Sequence, residues 1–263
     1  MRRHPATYTS SFSAGPGPLS TAIKAIIVAN VVLFFASAFS RTVIDELGLV
    51  PFLFLHELRL WQPVTYMFLH AGIFHILFNM LGLWLIGTEL ERIWGTRYFV
   101  KFYFVTGIGA GLLTVLFAVL PFGFARQVYG SNIIGASGAI YGLLLAYALY
   151  FPDRPIYMYF LFPIPAKYFV LILGAIAFYS SLGSTGGVAN ATHLGGLVVG
   201  YLFLKGTPIH PMSELKYRYL KWKINRVRRK FDVHSGGRAD DWDRRNTNRK
   251  TLALPTDCHD VLA

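Results

Sequence analysis

Cysteine, charge and acidic side chains are all scarce in this sequence of 263 residues. Cys258 is the only cysteine, which excludes an intrachain disulfide and a cysteine metal cluster. Only 14% of the residues are charged, whereas 54% are hydrophobic and the mean hydropathy is +0.45. A water-soluble domain of this size carries more charge. The composition therefore predicts a polytopic membrane protein.

The few charges are mainly basic, with 25 Lys and Arg against 13 Asp and Glu and a net charge of +12. They cluster in short segments between apolar runs and in the tail after Lys205, and no nucleic-acid-binding motif accompanies them. Because Lys and Arg concentrate in cytoplasmic segments of membrane proteins, we interpret them as topology signals. Nucleic acid is not an expected partner.

Six apolar runs predict an all-α bundle, since about 20 mostly apolar helical residues cross a bilayer and lipid requires every backbone polar group to be paired internally. The runs cover residues 21–39, 71–88, 99–120, 132–151, 167–184 and 189–204. The segment 40–70 is too polar to span, and we expect it to lie in the membrane interface, held by Trp61 and its aromatic neighbours. The basic segments place both termini in the cytoplasm, which agrees with six spans.

Three parts of the chain follow from this pattern. Residues 1–20 are predicted to be a cytoplasmic tail without a cleavable signal, residues 21–206 a six-helix membrane domain, and residues 207–263 a basic cytoplasmic tail. The second tail spaces its Lys and Arg residues among apolar ones at helical intervals, which favours an amphipathic helix on anionic lipid over one that binds a protein partner. From His234 onward we expect disorder. A bacterial inner membrane is the expected location.

A serine and two histidines are expected to meet near one face of the membrane. With the N-terminus inside, the second, fourth and sixth spans all start at the outer face, and His75, Ser137 and His193 lie near those starts. Small residues one turn apart allow helices to approach closely. Such residues follow Ser137 at positions 138 and 142 and follow His193 at positions 196 and 200.

This pattern favours nucleophilic catalysis. A serine hydroxyl needs a base to take its proton, and His193 provides one for Ser137. No Asp or Glu lies in the later spans, so we expect a dyad rather than a triad. His75 and Asn79 share a helical face and could donate to an oxyanion, as could the Ser137 backbone N–H. Tyr141 lies one turn after Ser137, where its ring could stack on the imidazole.

Each of these residues has a structural alternative when it is taken alone. A serine in a Gly-rich span usually serves packing, and an intramembrane asparagine often only bonds a neighbouring helix. An intramembrane histidine is costly and more often functional. His75, Ser137 and His193 are expected at one depth, with small residues beside two of them, and this combination favours the catalytic interpretation.

These motifs resemble the rhomboid intramembrane serine proteases over residues from about 61 to 200. Gly-Ala-Ser-Gly at 135–138 resembles the family's Gly-x-Ser-Gly nucleophile motif, and His193 with Gly196 and Gly200 resembles its His-x-x-Gly-x-x-x-Gly base motif. The Glu-Arg pair at 91–92 with the glycine at 95 resembles the family's Glu-Arg turn.

The second span also matches the family pattern, through His70, His75 and Asn79. The resemblance implies that His75 and Asn79 line the oxyanion site and that the fold is a six-helix bundle with an interfacial loop between the first two helices. One departure is Gln62, which follows Trp61 where many members have arginine. This difference leaves open how the interfacial loop is anchored.

The resemblance implies substrates that are transmembrane proteins, cut where a helix unwinds near the outer face, with water entering from the extracytoplasmic side. The glycines at 183, 186 and 187 are either a lid over Ser137 or an ordinary short loop. The oligomeric state, the substrate and its cleavage sequence stay open.

Three other classes remain to be weighed. A non-catalytic rhomboid-like protein would bind transmembrane helices without cutting them, but would be expected to lack the nucleophile or the base. A transporter would be expected to carry charges within spans or an inverted repeat, and neither is evident. A metalloprotease is disfavoured because no His-Glu-x-x-His run exists and because His70 and His75, five residues apart, would splay around a helix. No metal or other cofactor is expected.

Overall fold

The computed structural model of the protein describes residues 18–121, 123–158, 162–181 and 187–206. Within these residues the chain is mainly helical, with one two-stranded sheet. The helices are α1 (Thr21–Phe39), α2 (Arg41–Leu47), α3 (Pro51–His56), α4 (Gln62–Thr65), α5 (Ile73–Gly82), α6 (Thr88–Trp94), α7 (Thr96–Ala118), α8 (Gly123–Tyr129), α9 (Ser137–Tyr150), α10 (Ala166–Ser181) and α11 (Gly187–Gly206). The strands are β1 (Pro155–Met158) and β2 (Phe162–Pro165). Both predicted tails lie outside the described residues, apart from residues 18–20 of the first.

Among the described residues, three helical stretches are long and apolar enough to cross a membrane: α1, the continuous run Ile73–Trp94, and α7. The helices α9 and α10 are apolar but shorter. The packing of the bundle centres on α7, α9 and α11, each of which contacts the other two. The expected span 21–39 coincides with α1, which begins where the Ser20 hydroxyl accepts a hydrogen bond of 3.1 Å from the Ile23 N–H.

The segment between α1 and α5, which we expect to lie in the membrane interface, is folded into short helices. Trp61 is 47% exposed, and its indole N–H donates to the Glu46 carbonyl over 3.0 Å. This bond joins the start of α4 to α2. Gln62, which departs from the rhomboid pattern, is fully buried, and its Oε1 accepts from the Val50 N–H over 3.2 Å. The amide of Gln62 therefore links α3 to α4.

The second span was expected to end at residue 88, but the helix continues to Trp94 through a π-helical turn at Leu83–Gly87. The prediction stopped early because charged residues follow position 88. One of them, Glu91, is only 7% exposed and accepts hydrogen bonds from the Ser20 hydroxyl (2.5 Å) and the Thr96 hydroxyl (2.7 Å). These bonds satisfy the buried carboxylate and tie the start of α1 to the turn between α6 and α7.

The fourth span was expected to begin at residue 132, but its helix begins at Ser137. The residues before it are not helical, because Ile133 exchanges backbone hydrogen bonds with Leu49 over 2.8 and 2.9 Å and Gly135 has a φ of +131°. Only glycine adopts that angle without strain. Hydropathy alone could not separate this apolar extended stretch from the apolar helix that follows it.

The structure also has elements that the sequence analysis did not predict. The connection 121–131 contains α8, and the connection 152–166 contains the antiparallel β1–β2 hairpin, in which Ile156 pairs with Ile164. Of the glycines proposed as a lid, positions 183 and 186 lie outside the described residues, and Gly187 is the first residue of α11.

Candidate active site

Ser137 and His193, expected to form a dyad, lie side by side. Ser137 is the first residue of α9 and His193 lies in α11, and the distance between His193 Nε2 and Ser137 Oγ is 2.8 Å. This is a normal length for a hydrogen bond between a hydroxyl and a ring nitrogen. The hydroxyl proton can pass directly to the imidazole.

The close approach of α9 and α11 depends on glycine, as the sequence indicated. A methyl group at Gly196 would overlap the Gly138 carbonyl oxygen, and a methyl group at Gly200 would lie only 3.1 Å from the Gly142 Cα. The two helices therefore touch backbone to backbone just beyond the dyad, which brings the serine and histidine side chains within bonding distance.

The chain presents Ser137 at a sharp entry into α9. The Gly135 N–H donates to the Tyr66 carbonyl over 2.9 Å, and the Tyr66 hydroxyl donates to the Gly107 carbonyl over 2.6 Å. Residues 133–136 are thus held against the interfacial segment and α7. The sequence analysis missed Tyr66, because an aromatic residue in an interfacial segment gives no signal of a buried, bonded hydroxyl.

The first turn of α9 offers backbone donors beside the nucleophile. Its N-cap residue, Ala136, makes no side-chain capping bond. N–H groups in the first turn of a helix lack intrahelical acceptors and favour negative charge. The Ser137 N–H, at the first position of α9, is therefore a candidate donor to a developing oxyanion.

His75 lies next to Ser137, near the start of α5. A Cβ on Gly135 would be 2.9 Å from His75 Nε2 and 3.5 Å from Ser137 Oγ, so both atoms border the same small space. The Ala71 N–H donates to His75 Nδ1 over 3.4 Å. A neutral ring that accepts at Nδ1 carries its proton on Nε2. His75 therefore points a donor into the space beside the serine.

Asn79 lies one turn further along α5, on the same face as His75. Its side chain is almost buried, and Nδ2 donates to the His75 carbonyl over 2.8 Å. One of the two amide hydrogens is used by this bond, and the other remains for a further acceptor. The amide is thereby fixed against its own helix, one turn away from His75.

His70 is not placed as its spacing suggested. The expectation that His70 and His75 splay around a helix was wrong, because α5 begins only at Ile73 and His70 lies before it. The two rings meet edge to face, with centroids 4.8 Å apart, and His70 is 2% exposed. Burial, with a smaller effect of His75, lowers the pKa of His70 to about 4, so the ring is neutral at pH 7. Among the described residues, no group of three His, Cys, Asp or Glu side chains could hold a metal ion.

Tyr141 lies against the imidazole of His193. Its ring stacks on the His193 imidazole with centroids 4.2 Å apart and planes 6° apart. In the described part of the chain, His193 Nδ1 is buried without a hydrogen-bond partner, so no carboxylate orients the ring from behind. The stack with Tyr141 is therefore the contact that holds the imidazole plane toward Ser137.

We expect Tyr141→Phe to keep cleavage within about threefold of wild type, because the stacked ring remains. Tyr141→Leu should lower kcat about tenfold or more with little change in KM, because a misplaced base costs rate rather than binding. The measurement is steady-state cleavage of one reporter substrate by each variant. Equal kcat values for the two variants would show that stacking does not position His193.

The whole chain was compared with protein families and with curated proteins. Residues 57–207 match the Rhomboid domain model. The chain is 28% identical to RHOMBOID-like protein 2 of Arabidopsis thaliana over 68% of its own length and 51% of that protein. It is 32% identical to rhomboid protease GluP of Bacillus subtilis (54% and 25% covered) and 26% identical to rhomboid protease GlpG of Yersinia pestis (74% and 65% covered).

The matched part thus spans between a quarter and two thirds of the length of these relatives. Two of the three carry the word protease in their names. The domain match covers more than half of the chain and includes the dyad, His75, Asn79 and Tyr141. Together with the long apolar helices, it identifies an integral membrane protein. The chain belongs to the rhomboid family.

Proposed function

We propose that this protein is an intramembrane serine endopeptidase that hydrolyses peptide bonds in or near the transmembrane segments of other membrane proteins. The observation that carries the proposal is the 2.8 Å contact between His193 Nε2 and Ser137 Oγ. Membership of a family that includes named proteases supports it.

The contact supports a dyad mechanism. His193 Nε2 takes the hydroxyl proton as Ser137 Oγ attacks the scissile carbonyl, and the proton is then given to the leaving amine. The acyl-enzyme that forms is hydrolysed by water, which His193 activates in the same way. Stacking on Tyr141 keeps the ring in one orientation through both steps.

His75, the Ser137 N–H and Asn79 are proposed to stabilise the oxyanion. His75 Nε2 borders the space beside Ser137 Oγ, and the first turn of α9 begins at Ser137 itself. Donors fixed in place before the reaction stabilise developing charge without reorganisation. The second amide hydrogen of Asn79 is the more distant donor, and His70 packs behind His75 and keeps it in place.

The proposed architecture has six spans, formed by α1, α5 with α6, α7, α9, α10 and α11. Both termini are proposed to lie in the cytoplasm of a bacterial cell, with the site open to the extracytoplasmic side, because most basic residues flank the opposite ends of the spans. Contact of the basic tail, residues 207–263, with anionic lipid also stays a proposal.

Cleavage of a single-span reporter protein in phosphatidylcholine liposomes tests this function. The purified protein should cut the reporter near its extracytoplasmic end, and a fluorophosphonate should label the protein covalently at one serine and stop the reaction. Binding of several reporters without any cutting or labelling would instead support the non-catalytic rhomboid-like alternative.

A further inference from the structure

The β1–β2 hairpin lies between α9 and α10, at the end of α9 opposite Ser137. Beyond the strands, the Ala166 N–H donates to the Arg154 carbonyl (2.9 Å) in register with the ladder, and the Lys167 N–H donates to the Pro152 carbonyl (3.1 Å). The hairpin is therefore joined to the first turn of α10 rather than hanging from a loose connection. Nothing in the proposed reaction uses it.

The helices on either side of the hairpin are short for a membrane span. The 14 residues of α9 and the 16 of α10 correspond to lengths of about 21 Å and 24 Å at about 1.5 Å per residue. A bilayer's hydrocarbon core is about 30 Å thick. If α9 and α10 span as proposed, the hairpin starts before the chain has cleared the membrane interface.

Proline removes most of the unpaired donors from the edges of the hairpin. In an antiparallel ladder, hydrogen-bonded residue pairs alternate with pairs whose backbone N–H and C=O groups point outward. The bond between Ala166 and Arg154 makes that pair a hydrogen-bonded one. The backbone nitrogens of the pairs Pro155–Pro165 and Tyr157–Pro163 therefore point outward. Three of these four outward nitrogens belong to proline and carry no hydrogen. Such edges suit an environment poor in water, and they disfavour the addition of a strand from another protein.

The hairpin and α10 both expose apolar side chains. Tyr157 and Phe162 are 60% and 61% exposed, and Tyr168 in the first turn of α10 is 52% exposed. Further exposed apolar side chains follow along α10, at Leu171, Ile172, Ile176, Phe178 and Tyr179. Aromatic side chains are enriched at the level of lipid headgroups. Because Phe162 pairs with Met158 and Tyr157 pairs with Pro163, the two exposed aromatic side chains lie on opposite faces of the hairpin. Both faces of the hairpin therefore offer an aromatic side chain to lipid.

The charges at the base of the hairpin are paired with each other. Arg154 Nη1 contacts Glu89 Oε2 at 2.8 Å, and Lys167 Nζ contacts Asp153 Oδ1 at 2.7 Å. The hydrogen bond that Arg154 donates to Glu89 raises the pKa of Arg154. Since each cation has its own carboxylate, the contact with the bilayer does not require anionic headgroups.

We propose that the β1–β2 hairpin is a membrane anchor, which lies in the boundary between headgroups and acyl chains with Tyr157 and Phe162 in contact with lipid. It would fix the depth of the ends of α9 and α10, and therefore the depth of Ser137 below the opposite surface. The proposal rests on the proposed span arrangement but not on proteolysis.

Nitroxide spin labels on the full-length protein in phosphatidylcholine vesicles test this anchor. In a Cys258→Ser background, labels at Tyr157→Cys and at Phe162→Cys should be several-fold more accessible to oxygen, relative to a water-soluble nickel complex, than a label at Asp153→Cys. Asp153 is the matched control, since it precedes β1 and its side chain is 80% exposed. The second site keeps the test decisive if one variant does not fold.

Two results would overturn the anchor. Nickel accessibility at 157 and 162 equal to that at 153 would place the hairpin in water. Labels that are shielded from both oxygen and nickel, and that lose this shielding when the protein-to-lipid ratio is lowered, would point to a contact between protein molecules. At positions 157 and 162 we expect the same accessibilities after phosphatidylglycerol is added, because Arg154 and Lys167 keep their carboxylate partners in those two variants.

Discussion

Ser137→Ala and His193→Ala are each expected to lower the rate of reporter cleavage by about 10⁴-fold or more. In the proposed mechanism the serine supplies the nucleophile and the histidine takes its proton over the 2.8 Å contact, so removal of either stops the same step. The double variant should therefore be no slower than the slower single variant, because groups that act as a unit are not additive. Single-turnover cleavage in liposomes measures all three.

Ser181→Ala is the matched control for these variants. Ser181 is a buried serine in α10 whose hydroxyl donates to the Phe178 carbonyl of its own helix over 2.7 Å. Its loss should leave cleavage within about twofold of wild type, because the bond stays within its own helix. Cleavage that persists in the Ser137→Ala protein would show that another site carries the activity. A rate for His193→Ala near that of wild type would remove the histidine from the mechanism.

Gly196→Ala is expected to lower cleavage by at least about 100-fold and the free energy of unfolding by about 1–3 kcal/mol. The added methyl group would overlap the Gly138 carbonyl oxygen, and backbone atoms on both sides cannot rotate away. The helices α9 and α11 must move apart, which lengthens the contact between Ser137 and His193. Cleavage rates and thermal unfolding in detergent measure the two effects.

Gly174→Ala separates this close approach from the general effect of alanine in a helix. Gly174 lies inside α10, and a methyl group there would lie 3.2 Å from Leu197 Cδ1, the end of a flexible side chain. Alanine also favours a helix over glycine by about 1 kcal/mol. We expect this variant to cleave normally and to be at least as stable as wild type. If both variants behave alike, the glycine contact between α9 and α11 does not position the dyad.

Most of the dyad's surroundings could be predicted because each signal was local. The first predicted span, 21–39, has the same bounds as α1, because one continuous apolar run covers the whole helix. Glycines spaced by four residues indicated which helices touch, and a serine one turn before Tyr141 indicated the stack on His193. These inferences need only helical periodicity and the size of side chains.

The remaining features depend on contacts between residues distant in sequence. Residues 132–136 are as apolar as a span, but they are extended because Ile133 pairs with Leu49, eighty-four positions earlier. His70 faces His75 because the chain turns before α5, which no spacing rule contains. Glu91 continues a helix where charge suggested a turn, since Ser20 and Thr96 satisfy it. Such partners appear only once the fold is known.

The π-helical turn at Leu83–Gly87 separates two tasks carried by one helix. A wide turn holds one residue more than an α-helical turn and so rotates everything after it by about 100° relative to an unbroken α-helix. His75 and Asn79 lie before this turn, and Glu91 lies after it. Insertion or loss of one residue within it would thus turn Glu91 away from Ser20 while leaving the two site residues in register. The part of the helix that carries His75 and Asn79 and the part that carries Glu91 can therefore take different rotations about the helix axis.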